Sequence, residues 1–291
     1  MPDVEIGNLV IRKSHGKDIV FKVTQIYQDD IGRLQCVLKG MYLRLMADAP
    51  MDDLEIVGVE KLCKEMVDLE FVHNDGLRKI MMRRDKDKLR MDMSRSDATK
   101  KLESYDIPGR VLHLDGDEEY LRMCLKTYHQ LNIEAFGRCI DESQQAQQVV
   151  ALIDQYRPDI LVLTGHDALL SGTKKDFRDV NNYRNSKYFI EAVKQARIYE
   201  PSKDELVIFA GACQSCYEAI LAAGANFASA PLRVFIHAYD PVFIAEKVAF
   251  TPINRTLDVN EAITATVTGI EGVGGIETRG KFRMGLPKTP Y

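Results

Sequence analysis

Residues 205–216 read ELVIFAGACQSC, and the fold follows from how this stretch is parsed. The apolar run 206–210 has the length and composition of a strand buried on both faces. It ends at Gly211-Ala212-Cys213, where a helical pattern is expected to begin at once. A cysteine on such a strand-to-helix turn lies at the end of a sheet, beside a helix N-terminus. A second run of the same kind, ILVLT at residues 160–164, ends in Gly165-His166-Asp167. One His and one Cys thus each follow a buried strand, 47 positions apart.

Strands and helices alternate outward from this pair, starting at Pro108-Gly109. Strands are expected at 110–114, 133–136, 160–164, 206–210, 234–238 and 248–250. Helices are expected between them: one with apolar positions from Tyr120 to Leu131, one capped by Ser143, one over 183–199, one from Cys213 to Gly224 and one over 258–270. The tail reads as a Gly-rich loop (272–280) and an edge strand (281–287). Such alternation predicts an α/β domain with a parallel sheet covered on both faces, a three-layer caspase- or flavodoxin-like arrangement. Ligands bind such sheets at the C-terminal ends of the strands. The third and fourth strands are expected to be neighbours, so His166 and Cys213 share one cleft, with Asp115 and Asp117 arriving from the first strand.

The rest of the chain differs in character. Residues 4–57 hold five short apolar stretches, at 5–12, 19–26, 34–38, 42–46 and 54–57, which suggests a small SH3-like β-barrel. Residues 77–101 carry ten Lys/Arg against four Asp and few large apolar side chains. They read as a charged helix or a mobile linker that would bury little surface alone. The expected organisation is a barrel over 1–57, a charged helical connector over 58–105 and a peptidase-like α/β domain over 106–291. Ser94-Arg95-Ser96-Asp97, in the connector, makes Arg95 a candidate cleavage point.

Composition narrows the function classes. A 291-residue chain with net charge −4, 45% apolar and 28% charged, carries no overall bias toward nucleic acid or membranes. No stretch approaches the roughly 20 apolar residues of a membrane span. No secretion signal is visible, and the six cysteines are scattered, which suits a reduced intracellular protein. No cofactor or metal is expected. Cys213-x-x-Cys216 has no second pair to complete a zinc site, and no Gly-Lys-Ser/Thr follows Gly272-Val273-Gly274-Gly275.

A thiol needs help to act as a nucleophile, because a free Cys is only a few per cent ionised at neutral pH. A helix N-terminus supplies about 0.3–1 kcal/mol, which is marginal alone. His166 on the adjacent strand can take the proton. A tetrahedral intermediate then needs backbone N–H donors, for which the Cys213 turn with Gly211 and the Gly165–Asp167 loop are candidates. Asp115 and Asp117 could cap the first helix, orient His166, or bind a basic side chain. His237 and Asp240 are substrate-pocket candidates. His113, Cys124 and Cys139 read as structural.

The order His then Cys, each after a buried strand, resembles the caspase-like cysteine peptidases. The segments VLHLDGDEEYL (111–121), YRPDILVLTGHDAL (156–169), ELVIFAGACQS (205–215), AGANFASAPLRVFIHAYDPV (223–242) and GVGGIETRG (272–280) resemble the YabG-type sporulation peptidases. Weaker likeness extends to IGNLVIRKS (6–14). The resemblance implies a cysteine protease with Cys213 and His166 as its dyad. It would process spore coat and cortex-associated proteins next to basic residues, in the cytoplasm of the sporulating mother cell and in association with the coat. Asp115, Asp117 or Asp167 would supply the acidic pocket. One departure from caspases is that Gly165 precedes the His and Asp167 follows it, which leaves the second oxyanion donor open. The alternative is a non-catalytic module for coat assembly. A small-molecule Cys hydrolase fits less well, since such turns read Gly-x-Cys-x-Gly with the His downstream.

Overall fold

The computed structural model describes residues 4–93, 104–170 and 176–288. The chain forms two compact units, Met1–His73 and Asn74–Tyr291. Arg95, the candidate cleavage point, lies outside the described residues.

The first unit is an antiparallel sheet of five strands: β1 (Leu9–Arg12), β2 (Phe21–Gln28), β3 (Leu34–Gly40), β4 (Met46–Pro50) and β5 (Leu54–Ile56), in the order β4-β3-β2-β1-β5. Val10, Phe21, Val23, Cys36, Leu38 and Leu54 are buried from alternating positions, as a one-sided sheet requires. The fourth strand starts at Met46, not Tyr42. Residues 41–45 form the connection instead, closed by the Gly40 N–H donating to the Leu45 carbonyl.

Helix α1 (Val59–Met93) runs from one unit into the other, and its residues from Asn74 onward belong to the second. This charged stretch, which would bury little surface alone, packs against the second unit from Asn74 onward. Ile80 is buried in the second unit's core. Arg83 and Arg84 reach the fully buried carboxylate of Glu246 at 2.5 and 2.7 Å, and the Arg84 guanidinium lies 3.2 Å from the centre of the Phe250 ring.

The second unit is built on a six-stranded sheet. Its strands are β7 (Val111–Asp115), β8 (Ala135–Cys139), β9 (Ile160–Thr164), β10 (Val207–Ala210), β11 (Phe227–Ser229) and β12 (Val273–Gly275), in the order β12-β11-β10-β9-β7-β8. All pair in parallel except β12, which runs antiparallel at one edge. A separate pair joins β6 (Tyr105–Ile107) to β13 (Arg283–Gly285). Alternate residues of each strand enter different cores. Leu112, Leu161, Leu163 and Ile208 meet α3 (Glu142–Tyr156), α4 (Ser186–Tyr199) and α5 (Tyr217–Ala222). Val111, Val162, Val207 and Phe209 meet α2 (Glu118–Gln130), α6 (Asp240–Phe250), α7 (Val259–Thr264) and the second half of α1. The result is a three-layer α/β domain.

Several expected elements move. Residues 248–250 end α6 and are not a strand; an apolar run of this kind does not distinguish a buried helix from a strand. Residues 234–236 are irregular backbone, and the last long helix shortens to α7. The second strand begins at Ala135, and Cys139, expected in the core, is exposed. Asp141, not Ser143, caps α3. The Gly-rich tail includes β12. Among the described residues, no helix is long and apolar enough to cross a membrane.

Candidate active site

The sheet register places three polar residues in one row. β10 pairs with β9 at an offset of 47 (Ala210↔Leu163), and β7 pairs with β9 at an offset of 49 (Asp115↔Thr164). Cys213 and His166 differ by the same 47, and His166 and Asp117 by the same 49. Asp117, His166 and Cys213 therefore leave the C-terminal ends of three adjacent strands at matching positions. Strands lie about 4.8 Å apart, yet the Cys213 thiol is bonded to the Ile236 backbone and not to the imidazole, whose Nδ1 has no hydrogen-bond partner.

The first link of the row is a hydrogen bond. His166 Nε2 donates to Asp117 Oδ2 at 3.0 Å. Asp117 Oδ1 meanwhile accepts from the N–H groups of Glu119 and Tyr120, capping α2. Asp117 thus caps the helix with one oxygen and bonds the His166 ring with the other. Asp115 is fully buried and accepts the Asp117 N–H at 3.0 Å, with His113 at 3.4 Å. His166 Nδ1 is buried and has no hydrogen-bond partner.

Glu142 escaped the sequence reading. It opens α3, is buried, and accepts the His166 N–H at 2.6 Å. A Cβ on Gly165 would lie 2.0 Å from its Oε1, and one on Gly116 2.3 Å from it. These two glycines leave the space that the carboxylate fills. Burial pushes the Glu142 carboxyl above the ordinary range. Paired glycines inside Asp-Gly-Asp and Gly-His-Asp were the available signal, but nothing local tied them to residue 142.

The cysteine turn differs from expectation. Helix α5 starts at Tyr217, so Cys216 occupies its N-cap and Cys213 stands earlier, in a turn where Gln214 takes φ +55°. A one-and-a-half-turn helix beginning four residues later gives the Cys213 thiol little dipole stabilisation. Cys213 is fully buried, and its Sγ accepts the Ile236 N–H at 3.2 Å. The Gly211 N–H is spent on the Leu163 carbonyl, and the His166 N–H on Glu142. Gly211, at φ +111°, could not carry a Cβ, which would meet Ser229 Oγ at 2.5 Å. Cys216 is also buried, its thiol pushed up by that burial and aimed at the Phe177 carbonyl.

His237 and Asp240 form a hub next to the segment that covers Cys213. Asp240 is fully buried at the start of α6 and accepts N–H groups from His237, Val267 and Thr268 and the Thr268 hydroxyl. Burial pushes its carboxyl up to about 6. The folded state therefore holds this proton more tightly than the unfolded chain, so the group's stabilising contribution is complete near pH 4 and is lost as pH rises through about 6. Unfolding free energies are expected to show wild type losing up to roughly 3 kcal/mol relative to Asp240→Asn as pH rises from about 4 to 6, with the two running parallel above about pH 7. A constant difference from pH 4 to 7 would contradict the shift.

Among the described residues, no group of three or more His, Cys, Asp and Glu is arranged to hold a metal ion. The sequence profile of the family described as YabG peptidase U57 matches residues 5–287. The sporulation-specific protease YabG of Bacillus subtilis (strain 168) is 42% identical over 287 residues, covering 97% of this chain and 98% of its own length. No solved structure matches significantly.

Proposed function

The chain belongs to the YabG peptidase family, and from that premise we propose that it is a sporulation cysteine endopeptidase in which Cys213 is the nucleophile and His166 its base. The observation that carries this reading is the row Asp117, His166, Cys213 at the ends of β7, β9 and β10. The Asp117 carboxylate fixes the proton on His166 Nε2. Nδ1 is then the lone pair that takes the thiol proton. The thiolate attacks the peptide carbonyl, His166 returns the proton to the leaving amine, and water releases the acyl-enzyme. Cys213 lies under Ile236, so substrate entry requires the segment around it to move aside.

On this reading residues 106–291 cleave, as a caspase-like domain. Residues 1–57 act as an SH3-like barrel that binds partners, supported by five antiparallel strands, and 58–105 connect the two. The substrates are spore coat and cortex-associated proteins in the mother cell, cut next to basic residues. The test is incubation of wild type, Cys213→Ala and His166→Ala with a coat extract and a short Arg-containing peptide, read by mass spectrometry. Cleavage confined to wild type supports the dyad; equal behaviour of all three favours the coat-assembly module.

The basic stretch around Arg95 supports a further step, self-cleavage in the connector. Intact mass of active enzyme after incubation is expected to show two fragments meeting at that arginine. A full-length mass that never changes in cleavage-competent enzyme removes this step and leaves the dyad in place.

A further inference from the structure

The residue after the histidine holds the cysteine turn. Asp167 is buried, and its carboxylate receives four hydrogen bonds. Oδ1 accepts the N–H groups of Ala168 and Asn185 at 2.9 and 2.8 Å. Oδ2 accepts the hydroxyls of Ser186 and Ser215, the latter at 2.9 Å. Both serines are fully buried, and each passes the connection on. Ser215 Oγ accepts the Ala212 N–H at 2.9 Å, and Ser186 Oγ accepts the Cys216 N–H at 2.8 Å. One carboxylate oxygen next to His166 thus fixes the backbone on both sides of Cys213.

We propose, building on the dyad reading above, that Asp167 is a positioning residue that clasps the histidine loop to the cysteine turn and sets the distance between thiol and imidazole. A carboxylate offers about four acceptor sites. All four are taken, so Asp167 has none left for a basic substrate side chain, and the acidic-pocket role does not suit it. Neutral asparagine is a poor replacement. Its Oδ1 can keep the two amide donors, but its NH₂ takes the place of the acceptor on which both serine hydroxyl protons depend. The Gln214 side chain adds one more tie between the loops, accepting the Leu169 N–H at 3.3 Å.

The experiment is peptide-cleavage kinetics with the full chain: wild type, Ser215→Ala, Asp167→Asn and the double variant, with melting temperatures recorded for each and Cys213→Ala and His166→Ala as controls. Because both residues act through one geometry, each single substitution is expected to lower kcat roughly 10–100-fold with KM within about twofold, since a displacement of about 1 Å can cost 10²-fold. The double variant is expected to be no slower than the slower single variant. Multiplying losses, or a folded Ser215→Ala with wild-type kcat, overturns the clasp while silent controls keep the dyad. Cleavage by Cys213→Ala overturns the dyad and the clasp together. If Asp167→Asn fails to fold, Ser215→Ala decides alone, by its kcat at unchanged KM.

Discussion

Replacing Cys213 by alanine is expected to bring peptide cleavage down to background, a loss of roughly 10⁶-fold, and His166→Ala is expected to match it. The two act as a unit, so removing either leaves the other without a partner. Asp117 gives the more discriminating variant. In Asp117→Asn the amide oxygen can still cap α2, where Oδ1 now serves Glu119 and Tyr120. That places the amide NH₂ where Oδ2 accepts from His166 Nε2. A donor there pushes the imidazole proton to Nδ1, the nitrogen that must be empty to take the thiol proton. The expected outcome is a loss of kcat of about 10²–10⁴-fold with little change in melting temperature. Asp117→Ala is expected to lose the cap as well, at about 1 kcal/mol. Measurement of kcat, KM and melting temperature for the three variants separates these effects. Wild-type turnover by Cys213→Ala ends the nucleophile assignment, and wild-type kcat in Asp117→Asn ends the tautomer argument.

The shared register of Asp117, His166 and Cys213 was legible because strand pairing is arithmetic. Two buried runs of similar length, each ending in a glycine, set the 47-residue offset that the β9–β10 register reproduces. What surrounds the row was not legible, because it depends on contacts distant in sequence. Glu142 reaches the His166 N–H only because Gly116 and Gly165, which follow different strands, both lack a side chain. The helix expected at Cys213 begins at Tyr217 because Ser215 and Cys216 are held by Asp167 and Ser186 from the histidine side of the sheet. Local propensity contains neither fact. The stretch DPVFIAEKVAF fails for another reason: apolar on nearly every side, it has no helical stripe to recognise, and the buried Glu246 in its middle looks misplaced until its partners are known.

Those partners explain the second large effect. Glu246 is fully buried on α6, and the two arginines that neutralise it, Arg83 and Arg84, lie on the charged half of α1. Arg83 keeps about a quarter of its side chain exposed and can turn to water; Arg84 is 14% exposed, also donates to the Leu131 carbonyl and covers Phe250. Glu246→Ala therefore strands Arg84 as a charge inside the domain. The expected cost is about 3–5 kcal/mol, the range for breaking a buried pair from one side. For a unit of this size that lowers the melting temperature by roughly 10 °C. Removing both charges at once is a different experiment. Arg84→Met with Glu246→Leu keeps apolar volume on both helices and is expected to recover most of the loss, because the desolvation penalty of both ions disappears with their attraction. Urea unfolding of Arg84→Met, Glu246→Leu and the double variant gives the coupling directly. A loss under about 1 kcal/mol in Glu246→Ala would mean that the pair behaves as a surface salt bridge. The larger value makes residues 74–93 a structural layer of the α/β domain, attached by charge where their composition offers few apolar contacts.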